Sequence, residues 1–175
     1  MNKARITQNE FEALVKYFEP PSGHFLEIGT LKGGTAKLMA ERFPSRTIIT
    51  IDYSTYTEMV EFPNNVIRII GDSYDVGKQL SGIMTNMFRI IFIDGDHGDH
   101  RYNYVKRDAS IYEQYLEWKG WLAFHDSAGK GFVGLDGFPH ITAHSGVVQV
   151  IKELMQTGRW NKVDVVDSLT ILRHE

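Results

Sequence analysis

Five short runs rich in β-branched and aromatic residues, each followed by an amphipathic segment, set the strongest constraint on how this chain folds. They occupy residues 25–28, 47–51, 66–70, 89–93 and 121–124. Near-continuous apolarity over four or five residues marks strands buried on both faces, and parallel strands need helical crossovers between them. Helices are predicted at 35–42, 74–85 and 102–116, the last with Val105, Ala109, Tyr112 and Leu116 along one face. The fold class that follows is α/β, a Rossmann-like, mostly parallel sheet with helices on both faces.

Both ends depart from this alternation. Thr7-Gln8-Asn9-Glu10 has the form of a capping box, and Phe11, Leu14, Val15 and Phe18 follow at helical spacing until Pro20-Pro21. A lead-in helix within residues 1–22 is therefore expected. After a helix at 146–155, the apolar runs 163–166 and 169–172 are separated only by Asp167-Ser168, a connector short enough to demand an antiparallel hairpin. Residues 127–144 lack periodicity, and so long a stretch in a compact domain reads as a lid or substrate loop.

Length and composition narrow the function classes. The 175 residues predict one domain, and 42% hydrophobic content supplies roughly 74 apolar side chains, enough to cover a sheet on both faces. A net charge of −3 without a basic run argues against nucleic acid as partner. The absence of cysteine removes disulfides, thiolate nucleophiles and cysteine zinc sites. No stretch approaches the ~18 apolar residues of a membrane span, and Met1 to Glu10 are polar where a signal peptide has an apolar segment. A cytoplasmic protein is expected.

The first strand runs into Glu27-Ile28-Gly29-Thr30-Leu31-Lys32-Gly33-Gly34, a glycine-rich turn opening a helix. A dinucleotide fingerprint requires a glycine where Leu31 stands, which disfavours NAD and FAD. Asp52 ends the second strand 23 positions after Gly29, close to the offset at which a carboxylate accepts both ribose hydroxyls. Gly71-Asp72-Ser73 after the third strand suits an adenine amino group, and equally suits ordinary turn and helix-cap chemistry.

These residues resemble the class I S-adenosylmethionine-dependent methyltransferases, whose first motif places an acidic residue two positions before a glycine, with another glycine at the following turn. The resemblance covers nearly the whole chain. It implies the seven-stranded order 3-2-1-4-5-7-6 with the last strand antiparallel. It also implies a cofactor site of Glu27, Gly29, Thr30, Gly33, Asp52, Asp72, Ser73 and Asp94.

Strand four ends in Ile93-Asp94-Gly95-Asp96-His97 and strand five in Phe124-His125-Asp126, so two polar clusters fall at neighbouring strand ends, where α/β ligands bind. Taken singly, each is also an ordinary polar turn. Together they resemble the small-molecule O-methyltransferases related to macrocin O-methyltransferase and cephalosporin hydroxylase. That resemblance implies His97 as general base with Asp94 beside it, and a magnesium ion on Asp94, His125 and Asp126. His125 departs from the pattern of some relatives, which carry a carboxylate there; a softer divalent ion than Mg2+ suits a nitrogen ligand better.

The expected activity is methyl transfer from S-adenosylmethionine to a hydroxyl of a small-molecule acceptor. Rival expectations are a non-catalytic S-adenosylmethionine- or nucleoside-binding subunit, a nicotinamide enzyme and, last, a hydroxylase. His140 and His144 fall in the loop expected to cover the acceptor, and either that loop or a second copy in a homo-oligomer would close the pocket.

Overall fold

The computed structural model describes residues 4–19, 22–55, 60–81, 86–95, 102–129, 132–133, 135, 139–140 and 143–175. Helix α1 (Gln8–Phe18) begins in the expected capping box: Thr7 accepts from the Glu10 backbone, and the Glu10 carboxylate accepts from that of Thr7. The alternating chain then supplies β1 (His24–Ile28), α2 (Gly34–Arg42), β2 (Ile48–Asp52), β3 (Val66–Ile70), α3 (Ser73–Leu80), β4 (Phe88–Ile93), α4 (Tyr102–Tyr112) and β5 (Leu116–Phe124). A small ribbon, β6 (Phe132–Val133) with β7 (Pro139–His140), precedes α5 (Ser145–Gln156), β8 (Trp160–Val166) and β9 (Leu169–His174).

The main sheet has the order β3-β2-β1-β4-β5-β9-β8. Strands β1 to β5 are parallel, and β9 is antiparallel to both β5 and β8. Counted within this sheet, that is 3-2-1-4-5-7-6, as the resemblance implied. Period-two alternation divides the core: Leu26, Ile28, Ile49, Ile51, Ile91, Ile93, Leu122 and Phe124 pack with residues of α3, α4 and α5. Phe25, Ile48, Ile90, Phe92 and Ala123 pack with α1 and α2 on the other face. Each fully buried Leu, Ile or Phe contributes ~1.5–3 kcal/mol, so both faces hold the sheet.

Three expectations are corrected. β3 takes the edge position that the implied order gives it, but it is not the buried strand its apolar run suggested: with only β2 beside it, Ile67 is 51% and Ile70 39% exposed. The predicted helix at 102–116 stops at Tyr112; a single 3-10 turn, Glu113–Tyr115, follows, and Leu116 opens β5 opposite Phe88. The left-handed Lys119 (φ +61°) then lets the strand bulge before Trp121 pairs with Ile90. Helix α3 ends at Leu80 with Ser81 as an extended cap, short of the predicted 85.

The described part of 127–144 is anchored to the body of the fold as well as carrying the ribbon. Ser127 Oγ donates to Ser168 O at 2.9 Å, Leu135 N–H to Ile6 O at 2.8 Å, and His144 N–H to Asp126 O at 2.7 Å. Among the described residues no helix is long and apolar enough to cross a membrane.

Candidate active site

The glycine turn follows β1 at its carboxyl end, beside Asp94 at the end of β4. Gly29 (φ +98°) donates its N–H to Ile51 O at 2.8 Å, and a Cβ on it would collide with the Asp94 carbonyl. Gly33 (φ +69°) is the N-cap of α2 and makes room for the Phe62 ring. Chain-to-chain packing thus demands both glycines. Leu31 adopts the left-handed φ of +46°, and its N–H reaches Asp52 Oδ2 at 2.7 Å; Ser54 N–H reaches Oδ1 at 2.8 Å. Asp52 is therefore braced by two backbone donors at the carboxyl end of β2, with lone pairs to spare.

Glu27 and Thr30 turn inward and are buried. Thr50 Oγ1 bonds both Thr30 Oγ1 and a Glu27 carboxylate oxygen, and the Ala36 backbone adds another bond to Glu27. Burial pushes the Glu27 carboxyl up to about 8, the Thr50 bond opposing and the charges of Asp94 and Asp52 reinforcing the rise. At neutral pH it is an uncharged brace linking β1, β2 and the first turn of α2.

Asp72 serves the cap role. Its Oδ1 accepts from Tyr74 N–H and Asp75 N–H at 3.0 and 3.2 Å, and Oδ2 accepts from Arg107 Nη2 at 3.0 Å. Ser73 Oγ donates to Asp108 Oδ1 at 2.6 Å, and burial pushes Asp108 up to about 6. Arg107 lies between the Tyr74 and Tyr104 rings, 5.0 and 4.9 Å from their centroids. Neither Arg107 nor Asp108 stood out in the sequence, because an interior helix position carries no local mark of a partner on α3.

At the reaction end, the structure brings Asp94, His125 and Asp126 together. His125 is 2% exposed; its Nδ1 lies 3.0 Å from Asp94 Oδ1 and 3.3 Å from Asp126 Oδ1, and its Nε2 lies 3.4 Å from Glu10 Oε2. Burial alone would lower the His125 pKa, but Asp94, Asp126 and Glu10 outweigh it and hold the ring well above its ordinary value. Glu10, fully buried, is held low: burial opposes this, and bonds from His125, Thr7 and Ser168 prevail. Asp126 is itself left-handed (φ +52°), and His144 Nε2 stands 3.9 Å from its Oδ2. His97 lies outside the described residues, as does the His140 side chain.

One ligand atom from each of Asp94, His125 and Asp126 can be chosen so that all lie within 4.8 Å of one another. Two carboxylate oxygens and one imidazole nitrogen form a donor set that fits a divalent cation, the nitrogen favouring a transition-type ion.

A family described as methyltransferase domain matches residues 26–127. The chain belongs to that family, and its sheet is that of the class I S-adenosylmethionine-dependent methyltransferases. An uncharacterized protein of Acanthamoeba polyphaga mimivirus is 31% identical over 127 residues, 66% of this chain and 56% of that protein. The chain thus spans little more than half of that relative's length. Among solved structures, a Staphylococcus aureus protein assigned as a caffeoyl-CoA O-methyltransferase superposes with a TM-score of 0.73 at 16% identity, covering 99% of this chain and 86% of that one. MycE, a methyltransferase of mycinamycin biosynthesis in complex with Mg, SAH and mycinamycin VI, superposes with a TM-score of 0.64 at 14% identity, covering 95% and 46%.

Proposed function

We propose that this protein methylates a hydroxyl of a small-molecule acceptor, using S-adenosylmethionine as donor and a divalent cation held by Asp94, His125 and Asp126. The observation that carries this reading is the meeting of two sites at one place in the sheet. The glycine that follows β1 packs closely on the Asp94 backbone, which supports placing the nucleoside end beside the polar triad.

The sulfonium donor supplies an activated methyl, and a cation at the triad would lower the acceptor hydroxyl's pKa. The remaining work is alignment and proton removal. In this reading Asp52, braced by Leu31 and Ser54 N–H groups, accepts the ribose hydroxyls. Uncharged Glu27 keeps the turn rigid without adding a third negative charge beside Asp52 and Asp94. Asp94 and Asp126, with His125, would hold the cation against which the acceptor oxygen is placed, and His97 takes its proton. As the acceptor oxygen bonds to the methyl carbon, the carbon–sulfur bond breaks and its electron pair leaves on the thioether.

Calorimetric titration of S-adenosylhomocysteine tests the cofactor assignment. Micromolar binding is expected, weakened at least ~10-fold in Asp52→Ala, since a charge-assisted bond contributes ~1.5–3 kcal/mol. No binding to the wild type overturns the reading. Label transfer from S-adenosylmethionine to a panel of hydroxylated acceptors, with Asp94→Asn as the inactive control, then tests the reaction.

A further inference from the structure

Glu10 is fully buried in the first turn of α1; three hydrogen-bond donors converge on its two carboxylate oxygens, and His125 Nε2 faces them. Oε2 accepts from Thr7 N–H at 2.8 Å and faces His125 Nε2 at 3.4 Å. Oε1 accepts from Ser168 N–H at 2.8 Å and Ser168 O–H at 2.7 Å. A capping box needs only the Thr7 bond. The other contacts run to the turn between β8 and β9 and to the histidine of the reaction end, elements that α1 has no need to touch in order to be a helix.

With backbone and hydroxyl donors already on both oxygens, the carboxylate is an acceptor, so the imidazole nitrogen that faces it must carry hydrogen. Nε2 of His125 is that nitrogen. The other ring nitrogen, Nδ1, faces Asp94 and Asp126 at 3.0 and 3.3 Å, and is the nitrogen whose proton a cation bound among these groups would displace. A carboxylate behind a ligating imidazole fixes the ring's tautomer and orientation and raises its basicity.

We propose that Glu10 is a positioning residue: acting through Nε2 of His125, it presents Nδ1 as a nitrogen ligand and makes the Asp94, His125 and Asp126 group a mixed nitrogen–oxygen site that prefers a transition-type divalent cation to magnesium. This rests on the metal-assisted reading above. Glu10 and Ser168 both lie outside the matched residues 26–127, so the lead-in helix and the terminal hairpin complete a site whose ligands the family domain supplies.

The test is titration of wild type, Glu10→Gln and Thr7→Ala with Co2+, followed by visible absorption and calorimetry, with Mg2+ and S-adenosylhomocysteine titrated in parallel. Wild type binds Co2+ more tightly than Mg2+. Glu10→Gln weakens Co2+ binding about 10- to 100-fold, the range seen when an outer-shell partner is removed, and shifts the Co2+ ligand-field bands. Thr7→Ala loses the cap bond to Glu10 N–H but keeps the carboxylate, so its Tm falls while Co2+ affinity stays at the wild-type value. Should Glu10→Gln fail to fold, Glu10→Asp, which withdraws the carboxylate by one methylene, reads the same contrast.

Equal Co2+ affinity and spectra in wild type and Glu10→Gln overturn the proposal, as does a loss in Thr7→Ala as large as in Glu10→Gln. Wild type that binds S-adenosylhomocysteine but no Co2+ overturns it too and leaves methyl transfer standing. Glu10-dependent Co2+ binding without S-adenosylhomocysteine binding supports it and removes the methyltransferase reading instead.

Discussion

Glu27 holds a proton at neutral pH because it is buried between β1 and α2, with its carboxyl raised to about 8 against an ordinary value of 4.5. A folded-state pKa above the unfolded one gives stability that is fully present below about pH 4.5 and is lost as pH rises toward 8. The slope reaches at most ~1.4 kcal/mol per pH unit. Glu27→Gln, which cannot ionise, is expected to flatten this decline in denaturant midpoints taken from about pH 5 to pH 8; parallel profiles for the two proteins would sink the assignment. Gly29 is the second sensitive residue. Alanine there must hold φ +98° and meet the Asp94 carbonyl, so Gly29→Ala should cost ~3 kcal/mol or more. A loss below ~1 kcal/mol would show that β1 and β4 part more easily than the structure implies. Gly29 and Asp94 both stood out in the sequence, whereas their contact did not, since Asp94 reaches the glycine from a different strand.

At the scale of elements, α1 is tied to the sheet at both ends. Its start is held through Glu10, and its end through Arg46, whose guanidinium donates to the carbonyls of Phe18, Ser22 and Gly23 and lies 3.3 Å from the Phe18 ring centroid. A planar fork can serve several carbonyls at once, and a lysine ammonium cannot take its place. Arg46→Ala should therefore destabilise the fold by ~2–3 kcal/mol, and Arg46→Lys should recover less than half of that in thermal or denaturant unfolding. Full recovery by lysine would mean that charge alone matters. The helix α1, the crossovers and the β8–β9 hairpin were legible in the sequence because capping boxes, helical stripes and two-residue connectors are local patterns. The end of α4 was not. Leu116 completes an apolar helical stripe on paper, yet its pairing with Phe88 takes it into β5.

The whole molecule combines two opposing sets of titrating groups. Glu27 and Asp108 are raised by burial, and His125 is raised by its carboxylates against burial, so each loses its stabilising contribution as pH rises through its folded value. Glu10 and Asp72 are lowered, with bonds outweighing burial; their contributions are present above the ordinary carboxylate range and are lost as pH falls through their folded values. Stability should peak in mildly acidic solution, near about pH 5, and decline toward about pH 9. A thermal-shift series across that range checks it, and a maximum at about pH 8 or above would contradict the raised carboxyls of Glu27 and Asp108.

The sequence by itself determined the α/β class, the parallel core, the capped lead-in helix, the terminal hairpin, and the placement of Asp52, Asp94, His125 and Asp126 at strand ends. These follow from periodicity and spacing, which act over a few residues along the chain. Only the tertiary structure decided that Ile67 and Ile70 of β3 stay exposed, that Phe62 fills the space at Gly33, that Arg107 engages Asp72, and that Glu10 stands behind His125. Each joins residues far apart in the chain, and such pairs are selected by which faces pack together, a property of the assembled layers that no local pattern encodes.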